Sequence, residues 1–454
     1  MTGKPWRTAA AAFLLFVLAP AAVRGASPAP GAEIAAEESP DPAALIGEGE
    51  TLSLARAVAI ARRMQPAILA ARGSVAAGES LVGQARSGLY PQVDGTAGYS
   101  RYSPAGVAAG LGGEDGAYSQ YTAGVTARQL LYDFGRTSAR VAVRRTAVDA
   151  ARADLGAVED LIVYNVKLAY FDLLKTGRHL GVATETVAQF EAHLLQAKGF
   201  FDSGVKPKYD VTKAEVDLSN ARLERIRAEN ALRLARVTLN TAMGVPAAPF
   251  FEVEDNLDFQ PFSLPLAAAM EKAYAGRPDL KALERRQRLA EQAVALARKG
   301  DSPTVSGQAG GSLAGETFPL DEGWDIGVVL SVPLFNGHRT RHEVGEAEAN
   351  LVSAAADLTA LRQAIHREVQ QGYLQLAEAE ERISTLELTV RQAEENYRIA
   401  AGRYAAGVGN PVEVTDAEIT LANARTAHVQ ALYDYRIAAS TIEKAVGIRM
   451  DEGR

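Results

Sequence analysis

The sequence predicts an elongated, mainly α-helical fold with a small β part, built as a tandem repeat. Three observations lead there: a duplicated turn, helical periodicity sustained too long for a compact domain, and four short alternating segments set in two pairs. The duplicated turn reads "FDSGVKPKYDVTKAEVDLSNAR" at 201–222 and "YAAGVGNPVEVTDAEITLANAR" at 404–425. With Gly204 laid on Gly407 the offset is 203, and ten of the nineteen positions from glycine to arginine are identical. "RRMQPAILAAR" (62–72) lies on "YAGRPDLKALE" (274–284) at offset 212, and "LLYDFGR" (130–136) answers "PLFNGHR" (333–339) at offset 203. Self-similarity on this scale marks 54–246 and 266–448 as two copies of one unit.

Taken in order, the chain opens with Lys4 and Arg7 before the apolar run Ala9 to Leu18, then small residues around Val23-Arg24-Gly25. That layout predicts a secretory signal peptide over 1–25 with a Val-x-Gly site. An uncleaved anchor is the competing reading, and Pro20 interrupts a run already short for a bilayer. Residues 26–50, rich in Pro, Ala, Gly and Glu, read as a flexible leader. The first repeat is expected over 51–246, a linker over 247–265, the second repeat over 266–449 and a tail over 450–454.

Each repeat begins with a predicted helix, 55–88 and 268–299. A proline then opens a strand, Val93, Ala97 and Tyr99 in the first copy and Val305, Ala309 and Leu313 in the second. The next strands place Tyr121, Ala123, Val125 and Ala127, or Trp324, Ile326, Val328, Leu330, Val332 and Leu334, on one face. The joining loops, 104–117 and 314–322, are Gly-rich or acidic. In the long helix that follows, Gly372/Leu376, Ala379/Ile383, Leu386/Val390, Ala393/Tyr397 and Ala400/Tyr404 repeat every seven residues as a coiled-coil seam. At 1.5 Å per residue, 337–405 spans about 100 Å, so the elongated reading prevails over a helix on a globular core. The helix after the turn (208–243 or 412–446) has about half that length, as does the helix opening each repeat. Two halves stacked end to end would give a shaft of uniform height.

Composition narrows the function classes. The formal charge of −7 becomes about −10 once Lys4, Arg7 and Arg24 are removed, which argues against a nucleic-acid partner. There is no cysteine, hence no disulfide and no acceptor for an N-terminal lipid. "HRTRH" sets His338 and His342 at i and i+4, but with no glutamate between them and no third ligand it reads as a helix start and not a metal site. No phosphate-loop, dinucleotide or nucleophile-elbow motif stands in a fitting context, so no catalytic residue and no cofactor are assigned. Four strands of about ten residues suit an outer membrane when tilted, yet cannot close a barrel. An open edge in lipid costs several kcal/mol per unsatisfied group, so the chains must pool their strands. Tyr99, Tyr102, Tyr118, Tyr121 and Trp324 suit an interfacial belt, and ordinary sheet packing explains each of them equally well.

The tandem unit, the "PLFNGHR" strand exit, "AYFDLL" at 169–174 and the "Y-x-x-G-x-x-x-x-x-E-V-x-D-A" turn together resemble TolC-type outer-membrane efflux proteins over residues 51–449. The resemblance implies a homotrimer whose strands form one twelve-stranded barrel, continuous with a helical tunnel across the periplasm. It implies docking to a periplasmic adaptor and an inner-membrane pump of the resistance-nodulation-division or ABC type, in multidrug efflux or type I secretion. The repeated turns at Gly204 and Gly407 would form the periplasmic tip. The family's aperture carboxylates fall on Glu413 and Asp416, where three chains would set acidic rings that favour cations. For Glu413 a second reading stays level: Asn410 as N-cap, Pro411 as N1 and Glu413 as N3 make a capping box. Two members of the family's tip latch fall on Tyr404 and Asp210. The latch arginine's position is Gly409, and neighbouring Arg403 is the candidate replacement. The competing function class is a pore-less periplasmic coiled-coil adaptor or scaffold.

Overall fold

The computed structural model describes residues 45–102 and 118–447. The expected signal peptide, most of the leader, the 104–117 loop and the C-terminal tail lie outside the described residues. Within them, each half has the same order of elements. The first half carries β1 (Thr51–Leu52), α1 (Leu54–Met64), α2 (Pro66–Ser87), β2 (Gln92–Tyr102), β3 (Tyr118–Tyr132), α3 (Arg136–Asp202) and α4 (Lys208–Met243). After β4 (Glu252–Val253), the second carries α5 (Leu266–Gly276), α6 (Pro278–Ala297), β5 (Thr304–Gly315), β6 (Asp321–Ser331), α7 (Arg339–Ala405) and α8 (Pro411–Val446).

The single helix expected over 55–88 is two helices, and so is the one expected over 268–299. Each breaks one residue before a proline, at Gln65 and at Arg277, where ψ is 119° and 124°. Proline crowds the preceding residue out of the α region while starting the next helix without strain. The breaks are also joints. Gln65 donates its side-chain amide to Thr241 O and Ala242 O (2.8 and 2.7 Å), satisfying carbonyls at the end of α4. Arg277, the equivalent residue at offset 212, donates to Ala445 O at the end of α8 (3.3 Å). Gly244 and Gly447, at φ +78° and +68°, let those helix ends abut the breaks. So α4 and α8 do meet the opening helices end to end.

Alongside them run the two 67-residue helices. The first part of α3 packs on α2, with Gly78 against Val148 and Arg152 paired to Glu79, and its last part on α4, with Arg222 paired to Glu191. On α7 the predicted seam is the packed face: Gly372, Leu376, Ala379, Ile383, Ala393, Ala400 and Tyr404 are buried. A Cβ on Gly372 would come within 2.9 Å of Ile442, which is the close approach a small seam residue permits. The main hydrophobic core lies where α1, α5, the middle parts of α3 and α7 and the ends of α4 and α8 converge. Residues 247–265, expected as a linker, are packed into it: Phe251 and Leu257 are fully buried. Sequence reading missed the parallel β1–β4 pair, whose exit the Tyr170 hydroxyl holds through Leu52 O and Glu254 O.

The four long strands form one antiparallel sheet in the order β2-β3-β5-β6, leaving β2 and β6 as its edges. Directly opposed residues share a face, so the register sorts the sheet into two. One face carries Val93, Ala97 and Tyr99, then Tyr121, Ala123, Val125 and Ala127, then Ala309 and Leu313, then Trp324, Ile326 and Val328. The other carries Gln92, Asp94, Thr96, Thr122, Thr126, Arg128, Gln308, Ser312 and Asp325. The apolar face is not covered by the described residues: Trp324 is 82% exposed and Ile326 75%.

Candidate functional site

The two fold-back turns are built alike. Each long helix ends with a glycine in the left-handed region, Gly204 at φ +74° and Gly407 at φ +78°. In the first, Gly204 N donates to Phe201 O and Val205 N to Phe200 O; in the second, Gly407 N donates to Tyr404 O and Val408 N to Arg403 O, all between 2.9 and 3.1 Å. That pairing of bonds is a Schellman ending, and it needs a residue without a Cβ penalty at the glycine. A proline then starts the return: Pro207 precedes α4, and Pro411 is the first residue of α8.

Beyond the shared backbone the turns differ. Asn410 caps α8 as expected, its Oδ1 accepting from Val412 N at 2.9 Å. Glu413 does not complete a capping box with it. Its carboxylate is exposed and pairs with Arg403 at 3.5 Å, so Arg403 serves the α7–α8 turn. Asp416, one turn further, is exposed. Gly409 leaves no room for the family's latch arginine: a Cβ there would stand 2.6 Å from Tyr404 N. The turn is too tight to carry a side chain at that point. Lys206, its equivalent in the first turn, instead donates across to Gly409 O at 3.2 Å.

Tyr404 and Asp210 are both buried at the tip. The expected bond between them is not formed, and the Tyr404 hydroxyl has no hydrogen-bond partner among the described residues. Tyr404 is held by its ring, which lies edge-on to Phe200 (5.6 Å) and tilted against His193 (4.9 Å) of the first repeat. Burial, helped by the Asp210 charge, raises its phenol above the ordinary range.

Behind this ring lies a polar seam between the repeats that sequence reading did not single out. Thr415 donates to Asp217 Oδ2 at 3.0 Å, joining α8 to α4, and Lys213 donates to both Asp217 oxygens at 2.6 Å. Glu418 is 0% exposed. Burial pushes its carboxyl up to about 8, and the Asp217 charge adds to the effect. Burial holds the His193 imidazole below its usual value against the pull of Asp217 and Asp210. Farther along, Arg425 ties α8 to Glu185 of α3 (2.7 Å) and Glu394 of α7 (2.8 Å). The only signal in the sequence was that Glu215 and Glu418 recur at the same place in the repeat, which says nothing about which of them is inside.

Comparison with known proteins bears on what this tip and sheet belong to. The sequence model of the outer membrane efflux protein family matches residues 58–245 and 269–448. The chain belongs to that family. Relatives include Protein CyaE of Bordetella pertussis, 29% identical over 88% of this chain and 84% of the relative, and Outer membrane protein TolC of Vibrio cholerae, 25% identical over 85% and 89%. Among solved structures, CusC superposes with a TM-score of 0.78 at 20% identity, over 87% of this chain and 92% of that one. The fold is thus that of the channel-tunnel proteins, and the chain is an outer-membrane efflux channel and not a pore-less scaffold.

Proposed function

We propose that three copies of this chain form one passive duct across the Gram-negative outer membrane, with the helices in the periplasm. The observation that carries this reading is the sheet: one apolar face, one polar face and two unpaired edge strands. Joining β6 of one copy to β2 of the next removes every edge at twelve strands, turning the Trp324 face to lipid and the Thr126 face to water. Among the described residues no helix is long and apolar enough to cross a membrane. The tip would meet a periplasmic adaptor and, through it, an inner-membrane pump of the resistance-nodulation-division or ABC type, which select the cargo. The chain is exported by its signal peptide and not lipidated, and it carries no chemistry of its own.

At the tip, Glu413 and Asp416 are assigned to the aperture because both are exposed beside the fold-back, where three copies set six carboxylates in a ring. Tyr404 and Asp210 are assigned to holding the tip inward, Tyr404 by ring packing across the repeats. Two measurements test this. Outer-membrane extracts should yield a crosslinkable trimer; a monodisperse monomer in mild detergent with its β-signal intact would sink the pooled barrel. Reversal potentials in a salt gradient should show reduced cation preference for Asp416→Ala and for Glu413→Gln, with urea stability nearly unchanged. Parental potentials in both and in the double variant would remove the aperture assignment.

A further inference from the structure

Among the described residues, Glu418 is the carboxyl group with both oxygens buried and without a hydrogen-bond partner. An ionised carboxylate there would have given up its water with nothing in exchange, so the neutral acid is the form that fits. The charged and titratable groups around the seam come from all four helices. They are His193 on α3, Asp210, Lys213 and Asp217 on α4, Tyr397 and Tyr404 on α7, and Glu418 itself on α8. Asp217 is satisfied by Lys213 and by Thr415, so the hydroxyl proton of Thr415 is already committed to it. Glu418 therefore stands beside a held carboxylate, at the contact between the first repeat's return helix and the second's.

We propose that Glu418 and Asp217 form a proton-operated clasp between the two repeats at the tip: the neutral Glu418 lets the hairpins pack, and its ionisation beside Asp217 parts them. This rests on the tip being the movable aperture of the duct. The sign follows from linkage. Burial and then Asp217 raise Glu418 from 4.5 to about 8 in the packed tip, so the packed form binds the proton more tightly than a parted, hydrated one. Packing is fully favoured below about 4.5 and loses ground as pH rises. The balance shifts toward the parted tip by up to about tenfold per pH unit, levelling off above about 8. His193 acts in the opposite sense: lowered by burial, it disfavours packing only as pH falls below its ordinary 6.5. Tyr397 and Tyr404 are raised and keep their protons. Between the ordinary 6.5 of His193 and the value of about 8 for Glu418, Glu418 is the group expected to switch.

The chain has no cysteine, so Val205→Cys and Val408→Cys, on the exposed outer side of the two turns, allow a clean pair of spin labels. Full-length doubly labelled chain would be mixed with excess unlabelled chain, so that each measured distance lies within one copy. The distance should lengthen and broaden as pH rises from 6.5 and stop changing above about 8. Glu418→Gln should keep the short distance throughout, and Asp217→Asn should move the transition to higher pH by favouring the packed form. A parental distance independent of pH, or a Glu418→Gln variant that titrates like the parent, overturns the clasp. Should Glu418→Gln fail to assemble, the parent still decides: the infrared carbonyl band of a protonated carboxyl must be present at pH 7 and be lost as pH rises through about 8, and its absence at pH 7 overturns the proposal. Bilayer conductance on the same samples separates the two readings. A distance change with no pore retains the clasp and ends the duct, whereas a conducting pore with an unchanging distance ends the clasp alone.

Discussion

The sheet and the tip are built from the same duplication, yet they treat equivalent residues in opposite ways. In the sheet the two copies agree. Val93 and Val305, Ala97 and Ala309, Val125 and Val328, and Tyr121 and Trp324 occupy matching places, and every one of them is on the apolar face. At the tip they diverge. Asp210 is buried while its equivalent Glu413 is exposed, and Glu215 is exposed while its equivalent Glu418 is fully buried. A sheet has one apolar and one polar side, so each copy must present the same alternation. Helical hairpins laid side by side touch through opposite flanks, the Asp210/Asp217 flank of α4 against the Thr415/Glu418 flank of α8. Head-to-tail packing of that kind cannot cover the same polar flank twice, although apolar positions such as Val211 and Val414 or Ala214 and Ala417 are buried in both copies.

The largest effect is expected where the copies agree. Val125→Arg and Val328→Arg should each destabilise the assembled sheet by about 2–4 kcal/mol if the apolar face meets lipid. Thr126→Arg on the opposite face should cost little. Urea unfolding in lipid vesicles would measure both, and equal tolerance of the two faces would undo the lipid assignment. At the tip, equivalent substitutions should differ. Gly409→Ala forces a Cβ onto the Tyr404 backbone and should cost about 1–3 kcal/mol, as overpacking does. Lys206→Ala, at the matching place, should cost about 1 kcal/mol for a lost charged hydrogen bond that is partly exposed. Indistinguishable thermal unfolding of the two variants would mean that the tight approach at Gly409 is relieved elsewhere. The smallest effect belongs to the exposed pair: Arg403→Ala should change stability by under about 1 kcal/mol, and by less still in high salt.

Much of the fold was legible because its signals are local. A heptad in α7 and alternation in β6 are read within a few residues, and the seam from Gly372 to Tyr404 is buried or, at Leu386, Val390 and Tyr397, half-buried. The helix breaks at Gln65 and Arg277 had their local cause in Pro66 and Pro278. What spacing could not supply was the far partner, the open carbonyls of α4 and α8, that makes a broken helix better there than a straight one. The β1–β4 pair escaped for a similar reason: two-residue strands carry no period, and their pairing joins segments about two hundred residues apart.

By itself, the sequence determined the duplication, the lengths of the long helices, the two faces of the strands and the glycine at each fold-back. Each of these follows from backbone geometry and side-chain period over a short stretch of chain. Only the tertiary structure decided that Glu413 pairs outward with Arg403, that Tyr404 is held by rings from the other repeat, and that Glu418 lies beside Asp217 without a hydrogen-bond partner among the described residues. The repeat writes a glutamate at 215 and again at 418. Which of them loses its water depends on the flank the neighbouring hairpin covers, a lateral contact that no spacing along the chain encodes.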